Sequence, residues 1–523
     1  MNSLLILMII FGQVISNLPG GTQVIQESAF EDAAPFRIQN KIDELVIAKL
    51  KESGLSPAKI CSDAVFIRRV FIDVIGTLPT PKEANDFLND QNPNKRVALI
   101  NRLLEREEFA DYWTLKWCDI LRVKSEFPIN LWPNAVQAYY RWIHDSIQSN
   151  KPYDQFARQL LTASGSNFRE PQVNFYRAIQ GRQPSDIART VALTFMGTRY
   201  ENLVQSDRTN MEFFFSQAAY KNTAEWKEEI VYSKPLTGGA RQAVFPDGKT
   251  VFVRAEDDPR RVFADWLTEP DNPWFARNIT NRVWAWLMGH GIINEPDDIR
   301  PDNPPVNPEL LAFLESEFVR TKYNLKSLYR LILNSCTYQQ SSIPRADNPE
   351  AEIMFACYPV RRLDAEVLID ALDKIGGTGQ NYSSNIPEPY TFIPEGQRSI
   401  KLEDGSITSQ FLEMFGRPAR DTGLESERSN KPTEFQSLYL LNSNDIKNKI
   451  ERSSILRRQV EAAKGSRKEL IKNIYLTILS RNPTEHEMEL TEKYFQNEGM
   501  TRKAAIEDLS WALINSKEFL YRH

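Results

Sequence analysis

The sequence predicts a mainly α fold: two helical lobes with a small central β-hairpin insertion. Three observations predict it. Apolar residues recur at three- and four-residue spacing along most of the chain, many prolines sit where helices open, and one strand–turn–strand pattern interrupts the helices near the middle. With 523 residues the chain is too long for one small core, which points to several domains.

In chain order, Leu4–Phe11 is an unbroken apolar run that continues to Val14-Ile15-Ser16. It is too short to span a bilayer and suits the apolar region of a signal peptide over 1–16. The expectation is an exported protein, periplasmic or envelope-associated, with no transmembrane helix in the mature chain. An N-terminal helical domain follows over 35–227. Its helices are expected at 36–51, 63–75, 81–89, 95–106, 109–123, 134–149, 154–163, 185–196 and 210–220. Thr80-Pro81-Lys82-Glu83 is a capping box with proline in the first turn. Residues 228–257 read as a β connector, with strand character at Glu229–Tyr232, Ala243–Phe245 and Thr250–Val253 and a turn at Pro246-Asp247-Gly248.

The C-terminal helical domain covers 258–520. Asp258-Pro259, Asn272-Pro273, Asn307-Pro308 and Thr484–Glu487 each read as a helix start. Helices are expected at 259–267, 273–288, 308–321, 325–335, 363–375, 433–441, 444–462, 466–479, 485–497 and 502–515. Gly376-Gly377-Thr378-Gly379 follows an apolar helix face and reads as its C-cap and exit. The stretch 376–432 is irregular, and so long a loop in a compact domain is often functional.

Composition narrows the function classes. Hydrophobic residues at 41% and charged residues at 25% exclude wholesale disorder. Lys+Arg 64 against Asp+Glu 69 lacks the basic footprint of a dedicated nucleic-acid binder. Four Cys and four His exclude multihaem arrays and large metal clusters, and no metal-ligand motif is present. Cys61, Cys118, Cys336 and Cys357 leave three pairings open. There is no Gly-x-Ser-x-Gly, no phosphate loop, no His-Glu-x-x-His and no Gly-x-Gly-x-x-Gly. Trp113, Trp117, Trp132 and Trp142 lie at helical spacing, which favours core packing over sugar stacking.

The polar residues that remain cluster. The helix from Trp274 to Met288 carries Arg277, Asn281 and Trp284 opposite Phe275, Ile279 and Trp286, so it is expected between layers. His290, Asp297, Asp298 and Arg300 follow it. Arg361-Arg362-Leu363-Asp364 and Arg417–Arg428 complete the set. One reading gathers them in a pocket, with Asp297, Asp298 or Asp364 as acid/base candidates. Arg277, Asn281, Trp284, His290, Arg300, Arg361 and Arg362 would then hold an anionic ligand. The other reading makes them buried ion pairs that lock loops to a helical core.

Several strings together carry a resemblance. They include Phe71–Glu83, Asp258-Pro259-Arg260-Arg261, Asn272–Arg277, Asn281–Trp284, Gly289-His290-Gly291, Asp297-Asp298, Arg361–Glu366 and Asn515–Leu520. The chain resembles the paired domains of unknown function abundant in planctomycetes and verrucomicrobia, the first of which is the planctomycete cytochrome-associated domain. Many members carry Cys-x-x-Cys-His where this chain has Thr198–Ser206, and Cys-Glu-Cys-Glu-Arg where it has Leu424–Arg428. The resemblance therefore implies a divergent member without covalent haem and without a cofactor of its own. It suggests a non-haem binding or scaffold module, with envelope cytochromes or sulfatase-like proteins as partners and no role in nucleic-acid binding. The alternative is a hydrolase or lyase acting on an anionic or sulfated polysaccharide.

Overall fold

The computed structural model describes residues 29–32 and 36–523, so the expected export signal lies outside the described residues. The N-terminal half runs α1 (Lys41–Glu52), α2 (Asp63–Ile75), α3 (Pro81–Asn89), α4 (Lys95–Leu104) and α5 (Glu107–Ile120). It continues with α6 (Pro133–Gln148), α7 (Tyr153–Leu161), α8 (Pro184–Val191) and α9 (Gln205–Phe215). The C-terminal half contains α10 (Pro259–Leu267), α11 (Phe275–Met288), α12 (Pro308–Arg320), α13 (Leu325–Leu333) and α14 (Ala365–Gly376). After the long irregular stretch come α15 (Glu434–Asn442), α16 (Asn444–Glu451), α17 (Ser454–Ala462), α18 (Arg467–Ile478), α19 (Glu485–Tyr494) and α20 (Arg502–Ile514). Single-turn helices carry no label. Among the described residues no helix is long and apolar enough to cross a membrane.

Helices begin where a side chain can accept from the first free amides. Thr80 and Thr484 form reciprocal capping boxes with Glu83 and Glu487. Asp258 and Asn307 accept from the amides of Arg260 and Leu310. The helix expected from 273 starts at Phe275, because Asn272 Oδ1 accepts from the amides of Trp274 and Phe275 and holds them in the turn before it. Gly377, at φ +67°, closes α14 with its amide on the Asp373 carbonyl.

Two segments differ from expectation. The helix expected at 210–220 ends at Phe215, and β2 (Ala218–Asn222) follows it. The backbone of β2 is paired by β3 (Glu229–Ser233), with Tyr220 opposite Val231, and β1 (Gly165–Ser166) takes the other edge of β3. Tertiary pairing thus overrides the local helical pattern, and β3 belongs to this sheet rather than to the hairpin. The single helix expected at 444–462 is two. Ser453 interrupts it, donating to the Ile375 carbonyl while its oxygen accepts from the amide of Leu456.

The hairpin itself is β4 (Arg241–Val244) against β5 (Thr250–Val253), in the register Arg241↔Val253 to Val244↔Thr250. Phe245, in the turn that joins the two strands, is stacked between Phe214 of α9 and Trp266 of α10, with ring centroids 4.9 Å away on each side. The insertion is therefore wedged between the two halves by one aromatic ring.

The halves share a continuous apolar core. At its centre α2 is buried on every side from Val65 to Ile75, including Arg68, Arg69 and Asp73. Buried charges need partners, and here those partners lie hundreds of residues away. Arg68 donates to the carbonyls of Ile478 and Phe519, and Arg69 to those of Tyr338 and His523. A short pair, β6 (Arg361–Arg362) with β7 (Tyr521–Arg522), brings the end of the chain into this centre.

Candidate functional site

The residues nominated by sequence fall into three groups. Asp364, Arg361 and Arg362 come together in the buried centre. Asp364 Oδ2 accepts from Tyr112 Oη at 2.8 Å, Lys116 Nζ at 3.0 Å and Arg522 at 2.8 Å, and its Oδ1 accepts from Asn430 at 2.7 Å. Arg361 donates to the Trp286 and Leu287 carbonyls at the end of α11 and to Asp73, and Arg362 donates to the Phe415 and Ser429 carbonyls. Asp297 joins the same region from the other side. One oxygen takes Arg282 at 2.5 Å and the other the Glu425 amide at 2.6 Å.

The second group is internal but serves α11 alone. Asn281 is buried and closes a loop by exchanging hydrogen bonds with the backbone of Ile293. Trp284 is buried against Phe355, and His290 stacks on the same ring at 4.6 Å while its Nε2 meets the Glu352 carbonyl. The third group is peripheral: Arg277 pairs with Glu315 at 2.8 Å, and Arg300 bridges Asp298 and Asp302. Asp298 also accepts from Asn202 at 2.9 Å. None of these residues lines either of the two cavities described below.

Electrostatics follows from the packing. Burial alone would raise the Asp364 carboxyl, but the charges of Lys116, Arg522 and Arg428 outweigh it and hold the group well below its ordinary value. Burial lowers Lys116 in turn. All four cysteines are buried and free, and burial pushes the Cys118 thiol up to about 12, the signature of an inert core residue.

An open cleft lies elsewhere. It measures about 350 Å³ and runs between the first half of α6 and segment 391–407, within the usual size range of small-ligand sites. By contrast, the crevice among Phe109, Trp113, Trp117 and Tyr329 measures about 20 Å³ and has room for roughly one water. The cleft walls carry Val136, Phe392, Ile393 and Ile407 beside the polar groups of Gln137, Arg141, Gln397 and Glu403. The third arginine cluster builds one wall: Arg420 donates to the Glu403 carbonyl at 2.8 Å and pairs with Asp119, and Arg417 donates to the carbonyls of Ile407 and Asp404. Asp404 Oδ1 accepts from the amides of Ser125 and Ser406, tying that wall to the loop before α6.

Glu403 differs from every carboxylate nominated above. Its carboxyl lines the cleft and makes no hydrogen bond or close ion pair among the described residues. Burial pushes it up to about 7, against the opposing pull of Arg141 and His144. A group titrating there can exchange protons near neutral pH. Next to the cleft, Trp132 meets Tyr390 at 5.4 Å and Trp226 at 6.4 Å, edge to face in both cases, and Lys227 Nζ sits 5.0 and 5.3 Å from the two indoles. Trp113 and Trp117 are core residues as expected, whereas Trp132 is half-buried on this surface. Sequence reasoning nominated neither Glu403 nor Trp226. The available signals were a lone tryptophan in the polar run Thr223–Lys227 and the irregularity of 376–432.

The two halves and the segment that links them form a mainly helical protein built round a shared ionic centre. The chain belongs to the family that pairs PSCyt2, a protein of unknown function (DUF1549) matched over 41–214, with PSD1, a protein of unknown function (DUF1553) matched over 259–495. No curated protein and no solved structure matches it. The two segments that stand in place of cysteine motifs lie close together in space. Residues 297–299 touch both, through Asp297 to the Glu425 amide, Asp298 to Asn202, and the Ile299 amide to the Gly197 carbonyl. With no thiol and no imidazole in either segment, these residues do not fit covalent haem attachment. Among the described residues no group of three or more His, Cys, Asp or Glu is arranged to hold a metal ion.

Two outcomes follow from the carboxylates. Asp364→Asn leaves Lys116 and Arg522 short of a buried counter-charge, so chemical denaturation should show a loss of about 3–5 kcal/mol at pH 7. A depressed carboxyl stabilises the fold above its ordinary value and loses that contribution as pH falls through its folded value. The gap between native and variant should thus stay constant down to about pH 4 and narrow only below it. Glu403 works in the opposite sense: its raised value makes the fold favour the protonated form, a stabilisation lost as pH rises through about 7. Glu403→Gln should match the native protein near pH 4.5 and exceed it in stability at pH 8.

Proposed function

We propose that this protein is a non-haem binding module of the cell envelope, and that its ligand lies in the cleft between α6 and segment 391–407. The observation that carries this reading is the division of labour among the polar groups. The carboxylates of Asp297, Asp298 and Asp364 are engaged by side chains of the chain itself, while Glu403 and Arg141 face a cleft of about 350 Å³ without a side-chain partner. Polar groups left available at a formed, partly apolar concavity are what a ligand site requires. The apolar run at Leu4–Phe11 supports the envelope location.

The enzymatic alternative, hydrolysis or elimination on an anionic polysaccharide, needs a proton-transfer group within reach of the ligand. Of the carboxyls considered, Glu403 is the one that faces the cleft unpaired. The binding reading is tested by cosedimentation of the purified full chain with cell envelopes from its source organism. The native chain should be retained, and Phe392→Glu, which places a charge on an exposed wall residue, should lower the bound fraction at least tenfold. Absence of retention by the native chain would overturn the reading.

A further inference from the structure

Beside the cleft, three aromatic side chains are exposed to an extent that core packing does not explain: Trp226 at 71%, Phe392 at 68% and Tyr390 at 44%. They come from two segments more than 150 residues apart, yet Trp226 and Tyr390 form one shelf, because Trp132 stands edge-on between them, and Phe392, two residues after Tyr390, lines the adjoining cleft. Trp132 holds that position in a backbone conformation, φ +72° and ψ +146°, that a bulky side chain rarely adopts. The cost is borne by the surrounding loop, where the amides of Asn130, Leu131 and Trp132 donate in turn to the carbonyls of Glu126, Lys124 and Ser125. The shelf and the cleft are continuous through Pro133 and Thr391, which follow Trp132 and Tyr390 in sequence and line the cleft.

The chemistry of the two surfaces selects a ligand class. Exposed aromatic rings beside a cleft bind flat, weakly apolar faces. Glu403, Gln137, Gln397 and Arg141 offer paired donors and acceptors on planar groups, suited to adjacent hydroxyls. A purely apolar ligand would bury these groups unpaired, at a cost for each. A polyphosphate chain would meet the carboxyl of Glu403. A saccharide satisfies both surfaces, since its rings present C–H faces to aromatics and hydroxyls at their edges. We propose that the cleft and shelf bind a neutral saccharide chain, with sugar rings on Trp226, Tyr390 and Phe392 and hydroxyls on Glu403, Gln137, Gln397 and Arg141.

This inference rests on the reading of the cleft as a ligand site, and its test separates the two. The full chain is titrated with neutral hexaoses of β-1,4-glucan, β-1,4-mannan, α-1,4-glucan and chitin, followed by tryptophan fluorescence and calorimetry. The same titrations are run with a polyproline decamer. At least one hexaose should saturate with a change in tryptophan emission and should release the chain from envelopes. Trp226→Ala and Tyr390→Ala should each weaken it at least tenfold. Phe435→Ala, at an aromatic residue 65% exposed on α15, should leave binding unchanged. Envelope retention that no hexaose competes would overturn the saccharide assignment and keep the binding module. Hexaose binding unaffected by Trp226→Ala, or binding of the decamer alone, would also overturn it.

Discussion

The arrangement around Asp73, Arg522 and Asp364 is the constraint on which the rest of the structure depends. Arg522 lies between the two carboxylates, 3.3 Å from Asp73 and 2.8 Å from Asp364. Asp73 also accepts from Tyr338 and Tyr358, at 2.9 and 2.8 Å. A charge taken out of water is expensive unless excellent geometry and further hydrogen bonds offset it. Here α2 and α5 supply Asp73, Tyr112 and Lys116 from the N-terminal half, and every other partner comes from beyond residue 330. Neither half can bury its own charges alone. The pairing of β6 with β7 follows from the same need, since it delivers Arg522 to the centre.

From that centre the order extends outward to the cleft. Arg428 bridges Asp119 and Glu366, Arg420 joins Asp119 to the carbonyl of Glu403, and Arg417 gathers the carbonyls of Asp404 and Ile407. Arg417, Arg420 and Arg428 thus act on backbone carbonyls and carboxylates of the chain itself. What they position is a wall of the cleft. This links the irregular segment, which lacks helices of its own over most of its length, to a rigid core that can present it in one shape.

Much of the helical framework was legible because its signals are local. Thr80, Asp258, Asn307 and Thr484 announce helix starts through side chains that accept from amides two or three residues on. The failures are places where a distant partner decides. Ala218–Asn222 became a strand because Glu229–Ser233 lies alongside, and Ser453 broke a helix by reaching Ile375. The site shows the same divide. Asp297, Arg361 and Asp364 could be named from their local clusters, but their role depended on Arg282, Asp73 and Arg522. The shelf joins Trp132, Trp226 and Tyr390, and no local pattern relates three residues so far apart in sequence. Even the charges inside α2, Arg68, Arg69 and Asp73 in a run that is otherwise apolar from Ala64 to Ile75, were a readable sign of buried pairing that periodicity alone passes over.

If the two family domains share one ionic centre, they should not unfold separately. Differential scanning calorimetry of the full chain tests this most directly, because chains with independent domains depart from two-state behaviour. Melting in one transition, with calorimetric and van't Hoff enthalpies in agreement, is the result that joint burial of Asp73, Asp364 and Arg522 predicts. Two resolved transitions, or a calorimetric enthalpy well above the van't Hoff value, would contradict it.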